Sequence, residues 1–298
     1  MNAAMYSLVN HRPREAVRWL HRIDVEHGYV AECSSYWNAL ATARHWLGEH
    51  RQELADARRA RRRLPDDASM VALEAQALIG LGRAEAGLRV ADSAIRSGLE
   101  YGDARRALDA AYTVSTELRA HGRPVEARRV AAAALDGMLG RMARDGTPDT
   151  TSAGRTYTLH SLLALAYRAE RWAETRALAE SILVRDPADF YALARLTTLA
   201  ARRGDLAEAE RLIGILSTRP RPSTPEAYSV PPDPAADGML VRARVAALLG
   251  RRDEAVRRLT LALEGGAGGY RFPELHTEPD LESLNDYPAF RALWRPKG

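Results

Sequence analysis

The sequence predicts an all-α protein assembled from repeated helical pairs. Three observations carry this. Alanine is abundant while aromatic residues make up only 6% of the chain, and alanine is both the best helix former and small enough to let helices approach closely. A short turn motif recurs along most of the chain, with helical apolar runs before and after it. Pro65 and Pro187 close two of the resulting units, because proline cannot continue a helix.

The turn motif reads GRPVEA at 122–127, GDLAEA at 204–209 and GRRDEA at 250–255. Weaker copies are HRPREA at 11–16, GEHRQE at 48–53, GRAEAG at 82–87 and ERWAET at 170–175. Gly48 and Gly82 lie 34 residues apart, as do Glu170 and Gly204; the other intervals are longer and imply insertions. Glycine ends one helix where a left-handed residue is needed. Glutamate enters the first turn of the next, where the helix dipole favours negative charge. The helical runs include YWNALATARHWL at 36–47, EARRVAAAALDGML at 126–139 and YALARLTTLAARR at 191–203.

Seven pairs are expected, at 2–24, 34–66, 68–98, 104–140, 155–187, 190–217 and 236–264, the first with a short leading helix. Residues 141–154 read as a polar loop, and the proline-rich stretch 217–235 as an extended connection. In the tail, LHTEPDLESLNDYPAFRALWRPKG at 275–298, short helices are expected at 279–285 and 287–294. Leu281, Leu284, Phe290, Leu293 and Trp294 would form an apolar face over the last repeat, because a terminal repeat must cover its open side. The division is thus a repeat array over 1–264 and a capping segment over 265–298.

Composition excludes several chemistries. With 46% hydrophobic and 28% charged residues, the 298-residue chain is ordinary globular material. Lys297 is the only lysine, so a Gly-Lys-Ser/Thr phosphate loop and Schiff-base chemistry have no place in the repeats. Cys33 is the only cysteine, which excludes an intrachain disulfide and a multi-cysteine zinc site. The start, MNAAMYSLVN, lacks a basic region and a long apolar run. No stretch reaches the ~20 apolar residues of a membrane span, and a cytoplasmic protein is expected. The net charge of +4 is carried by arginine, and base composition of the coding sequence explains it better than a nucleic-acid footprint.

These repeats resemble the tetratricopeptide repeat. At 34–67, Trp37, Leu40, Ala41, Gly48, Ala60 and Pro65 stand at the family's tryptophan, leucine, small, glycine, alanine and proline positions. Glu53 departs from the expected alanine and Arg44 from the expected tyrosine. At 190–223 the pattern is carried by Leu193, Leu196, Thr197, Gly204, Ala209 and Leu216, and at 236–264 by Ala243, Gly250, Ala255, Ala262 and Leu263. The phrases YWNALATARHWLGEH at 36–50, ELRAHGRP at 117–124 and LHTEPDLESLNDYPAF are similar to the C-terminal repeat segments of bacterial multidomain regulators. In those, a kinase, a transcriptional activator or a cyclase domain precedes the repeats. No kinase signature or DNA-binding module is legible in this chain. The short first helix fits a chain that starts inside a longer repeat array.

The resemblance implies a right-handed superhelical solenoid whose first helices line a concave groove. Aligned by the turn residue, the groove positions are Asn38, Thr42, His45, Gln76, Tyr112, Thr116, Arg119, His160, Tyr167, Arg168 and Arg202. Arginines and tyrosines suit an extended peptide bearing acidic groups or a free carboxylate. The expected function is therefore a non-catalytic scaffold or sensor for a protein or peptide, with no cofactor. A nucleic-acid-linked regulator is the alternative, using arginine-rich surface such as ARRARRR at 57–63. A helical enzyme is a third reading, although neither Gly-x-Ser-x-Gly nor His-Glu-x-x-His occurs.

Other features read as structural. His45, Glu49 and His50 are close in sequence but straddle the Gly48 turn, so they share no helix face and no metal site is expected. Arg203-Gly204-Asp205 spells an integrin-binding tripeptide on a turn that wants glycine for backbone reasons. GGAGG at 265–269 follows a helix rather than a strand, the wrong setting for a phosphate loop.

Overall fold

The computed structural model describes residues 1–25, 33–100, 103–146, 152–218, 234–265 and 275–294. These residues are all-helical, with no strand among them. They divide into two compact units, Met1–Ala169 and Glu170–Arg295. The boundary falls inside the fifth predicted pair.

The first unit contains α1 (Asn2–Val9) with α2 (Pro13–Leu20), α3 (Ser34–Trp46) with α4 (His50–Arg63), α5 (Ala68–Gly80) with α6 (Ala84–Glu100), α7 (Ala104–Ala120) with α8 (Pro124–Asp145), and α9 (Ser152–Arg168). Each helix packs on its chain neighbour. The leading helices also pack in series, α1 on α3, α3 on α5, α5 on α7 and α7 on α9, and α6 packs on α8. This stacking follows from composition. Ala16, Ala43, Ala60, Ala75, Ala77, Ala107 and Ala111 are fully buried, and methyl-sized contacts bring helix axes close. Larger side chains fill the gaps between layers, including Trp37, Met70, Leu108, Leu118, Leu135 and Met138.

The second unit contains α10 (Trp172–Arg185), α11 (Phe190–Arg202) with α12 (Leu206–Ser217), and α13 (Pro234–Leu248) with α14 (Arg252–Glu264). Here α11 packs on α10, α12 and α13. A 3-10 turn at Glu282–Leu284 and the short helix α15 (Pro288–Leu293) follow. Leu281, Leu284 and Phe290 are buried against Ala243, Ala247 and Leu259 of α13 and α14, and Leu293 and Trp294 lie at the edge of the same cluster. The apolar face expected over the last pair is therefore present.

The seven predicted turns share one conformation. Their key residues, His11, Gly48, Gly82, Gly122, Glu170, Gly204 and Gly250, all have φ between 57° and 77°. At the 204–209 turn, Gly204 N–H donates to Ala201 C=O and Asp205 N–H to Ala200 C=O, each at 3.0 Å. These bonds satisfy carbonyls that the helix end would otherwise orphan. Asp205 then caps α12, its carboxylate accepting from Glu208 N–H at 3.1 Å. One aspartate thus ends one helix and starts the next. Asp67, Asp103 and Asp189 cap α5, α7 and α11 in the same way.

Two expectations need correction. Helix α8 continues to Asp145, into the predicted polar loop, and ends where Gly146 turns left-handed at φ 78°. Arg141 on that extra turn donates to Leu99 C=O at 2.8 Å and holds it to the end of α6. The expected helix at 279–285 is a 3-10 turn instead, because Leu281 and Leu284, three residues apart, both turn inward. His11 and Glu170, which open two of the weaker copies, take the left-handed φ without glycine, as their place in the motif requires. The proline-rich stretch over 219–233, the loop residues 147–151, the glycines at 266–269 and the segment containing Lys297 lie outside the described residues.

The turn account predicts opposite effects at two glycines close in sequence. Neither Gly204 nor Gly214 would bring a Cβ within 4 Å of another atom, but only Gly204 has a positive φ. Gly204→Ala should lower stability by roughly 1–2 kcal/mol through left-handed strain. Gly214→Ala, in the exposed interior of α12, should raise it by about 1 kcal/mol. Urea unfolding of the two variants beside the parent measures both; equal shifts would contradict the assignment.

Candidate functional site

The densest set of functional side chains in the first unit lies where α3, α4, α5 and α7 meet. Glu53 occupies the small-residue position of the 34–67 repeat, in the first turn of α4. Its side chain is completely buried. An isolated carboxylate there would carry a heavy desolvation cost. His50, one turn earlier on α4, places Nδ1 2.9 Å from Glu53 Oε2. His45, near the end of α3, places Nδ1 3.2 Å from both carboxylate oxygens. The left-handed residue Gly48 reverses the chain between them and sets the two rings 5.0 Å apart.

This overturns the reason for expecting no metal cluster there. The turn brings His45 and His50 together instead of separating them, and their partner is Glu53. Glu49 turns away to Arg44, 3.0 Å from Nη1. Arg44, at the expected tyrosine position, also donates from Nε to Asp56 Oδ2 at 2.6 Å.

Helix α7 extends the cluster. Glu117 is buried, with Oε2 3.1 Å from His45 Nε2 and Oε1 2.8 Å from His121 Nε2. His121 sits at the end of α7, its ring centre 6.4 Å from that of His50. Gly80, the last residue of α5, completes the arrangement: a Cβ there would lie 2.7 Å from His50 Nδ1. Three imidazoles and two buried carboxylates therefore join pairs that are distant in sequence.

Electrostatics match the geometry. Burial opposes the charge on Glu117, but His45 and His121 outweigh it and hold the carboxyl down at about 2. Burial also opposes the charge on His45, and Glu117 with Glu53 outweighs it, pushing the imidazole up to about 10. The ligand atoms of His45, His50 and Glu53 all lie within 4.8 Å of one another. This is a set that can hold a metal ion.

A second polar cluster links α7 and α9. The Arg168 guanidinium lies 4.3 Å from the Tyr112 ring centre and donates to its hydroxyl at 3.0 Å. Tyr157 donates to Asp109 at 2.5 Å beneath Arg105, which lies 4.0 Å from the ring centre. Burial, and then Asp109, push the Tyr157 phenol up to about 12.

The expected groove positions separate by environment. Asn38, Thr42, His45, Gln76, Tyr112 and His160 are half-buried on leading helices of the first unit. Thr116 and Arg119 are buried on α7, where Thr116 donates to Tyr112 C=O at 2.8 Å. Tyr167 is 0% exposed and belongs to the core, and Arg168 is only 2% exposed. Arg202 belongs to the second unit. It lies over the Trp172 ring and donates to Asp280 at 2.8 Å.

Glu117, His121, Tyr157, Glu278 and Asp280 escaped the sequence reading. Glu117 and His121 carried one signal, an i,i+4 acid–imidazole pair beside a repeat turn. In the arginine-rich stretch 57–63, Arg58 and Arg61 both donate to Glu74 of α5, at 3.0 and 2.8 Å.

The cluster predicts a pH optimum for stability when a chelator is present. The Glu117 contribution is complete above its ordinary 4.5 and is lost as pH falls toward 2. The His45 contribution is complete below its ordinary 6.5 and is lost as pH rises toward 10. Unfolding free energy from this pair should therefore peak between pH 4.5 and 6.5. Glu117→Gln should cost about 3–5 kcal/mol at that optimum and flatten the alkaline decline. Parallel pH profiles for the variant and the parent would refute the pairing.

No protein-family model and no curated protein matches the chain.

Proposed function

We propose that this chain is a non-catalytic binding module built from tetratricopeptide-like pairs, stacked within each unit as a right-handed superhelix. Its leading helices would hold an acidic protein segment or peptide, in keeping with the sequence resemblance to bacterial regulatory proteins. One observation in the second unit carries this reading. The non-helical stretch leading into the 3-10 turn supplies Glu278 and Asp280, and arginines of the leading helices receive both. Arg195 of α11 donates to Glu278 at 2.9 Å, and Arg244 of α13 lies 3.7 Å from it. Arg202 of α11 holds Asp280. Glu278 and Asp280 are 3% and 1% exposed.

The chain thus binds its own acidic segment on a leading-helix face through guanidinium–carboxylate contacts. Such contacts are among the stronger polar interactions and are directional. Arginine and tyrosine also recur on a leading helix of the first unit, in Arg119 and Tyr112, while Arg168 is buried against Tyr112 and is not open to a ligand. This supports the same recognition chemistry there for a ligand supplied by another molecule. In the 57–63 stretch Glu74 engages Arg58 and Arg61, which reduces the positive charge that the nucleic-acid alternative relies on.

Selection from a random peptide library displayed on phage tests the proposal. Acid-containing peptides should be enriched over acid-free ones. By fluorescence anisotropy, Arg119→Gln should weaken the best binder about 10- to 100-fold, the cost of a lost charged hydrogen bond. No enrichment of acidic peptides, or equal affinity for the variant, would sink it. Tighter binding to a DNA duplex with a steep salt dependence would transfer the assignment to nucleic acid.

A further inference from the structure

We propose that His45, His50 and Glu53 form a binding site for one zinc ion, braced by Glu117. With zinc–ligand bonds of about 2.0–2.1 Å, the ligand atoms of a tetrahedral site stand about 3.3 Å apart. His45 Nδ1 and His50 Nδ1 lie 3.2 and 2.9 Å from Glu53 Oε2, close to that spacing before any ion enters. Two imidazoles and one carboxylate suit zinc among the divalent first-row metals. They leave a fourth coordination position for water or a ligand.

Two further features fit a zinc ion. The nitrogen of His45 opposite Nδ1 is held by Glu117 Oε2 at 3.1 Å, the carboxylate brace that orients metal-bound histidines. Zinc also balances the two carboxylates, Glu53 and Glu117, charge for charge. An entry route exists, since both histidine side chains are 20% exposed while Glu53 is fully buried. On binding, any proton on a ligating nitrogen leaves to solvent and the metal takes its lone pair. The ion would tie α3 to α4 directly and to α7 through Glu117.

The test is titration of the full chain, stripped with chelator, with Zn²⁺ in competition with a chromogenic chelator. Titration with Co²⁺, read by its visible absorption, accompanies it. The expected result is one Zn²⁺ per chain, a rise in melting temperature, and a Co²⁺ spectrum of four-coordinate intensity. His50→Ala, which empties space beside Gly80, should remove the Co²⁺ band and weaken Zn²⁺ at least tenfold. Glu117→Gln should weaken it about 10- to 100-fold, and His276→Ala, in the other unit, should change nothing. If Glu117→Gln fails to fold, His50→Ala and the parent still decide the matter. Absence of stoichiometric binding by the parent, or an unchanged Co²⁺ spectrum in His50→Ala, would overturn the proposal.

Discussion

A carboxylate buried where the repeat calls for a methyl group governs the centre of the first unit. Helical pairs of this kind cross closely because small residues meet at the crossing. Glu53 stands at that crossing with no exposed surface, so its charge must be met from within the protein. The surrounding substitutions answer this demand. His45 and His50 bracket the turn, Gly80 leaves room for the second imidazole, and Glu117 with His121 secures the outer side of the first. Each is explicable alone, but only together do they offset the desolvation of Glu53.

The second unit meets a comparable problem with a different device. Its leading helices carry Arg195, Arg202 and Arg244 inward, and the chain returns an acidic stretch to them after α14. The apolar cap formed by Leu281, Leu284 and Phe290 anchors that stretch, so the acids and the hydrophobic residues arrive as one element. In both units, charge inside the helical stack is paired between elements far apart in sequence. This gives each stack a specific register where alanine contacts alone would permit sliding.

Local features were legible in the sequence, and contacts between repeats were not. The Gly-Asp turn at 204–205 and its copies mark all seven turns, because a left-handed residue followed by an acid in the first turn of the next helix has a composition signature. Helix ends were less legible: α8 overran its expected end at 140 because Arg141 finds Leu99 C=O, a partner on another pair. Glu53 and Arg44 stand out as departures from the repeat pattern, but their partners, His45 and His50 for Glu53 and Asp56 for Arg44, cannot be read from spacing. Tyr167 and Arg168 both align with groove positions in the sequence. On a helix, adjacent residues point about 100° apart, and Tyr167 turned to the core. His45 and His50 lie on either side of a turn whose effect in three dimensions is to join them.

The central claim is that His45 binds the α3–α4 pair to α7 through Glu117, and a double-mutant cycle measures this directly. His45→Gln, Glu117→Gln and the double variant would be unfolded in urea near neutral pH, with chelator present throughout. The account predicts a coupling energy of about 1–3 kcal/mol between the two positions. Free energies that add within about 0.5 kcal/mol would contradict it, showing that the two side chains are neighbours without being partners.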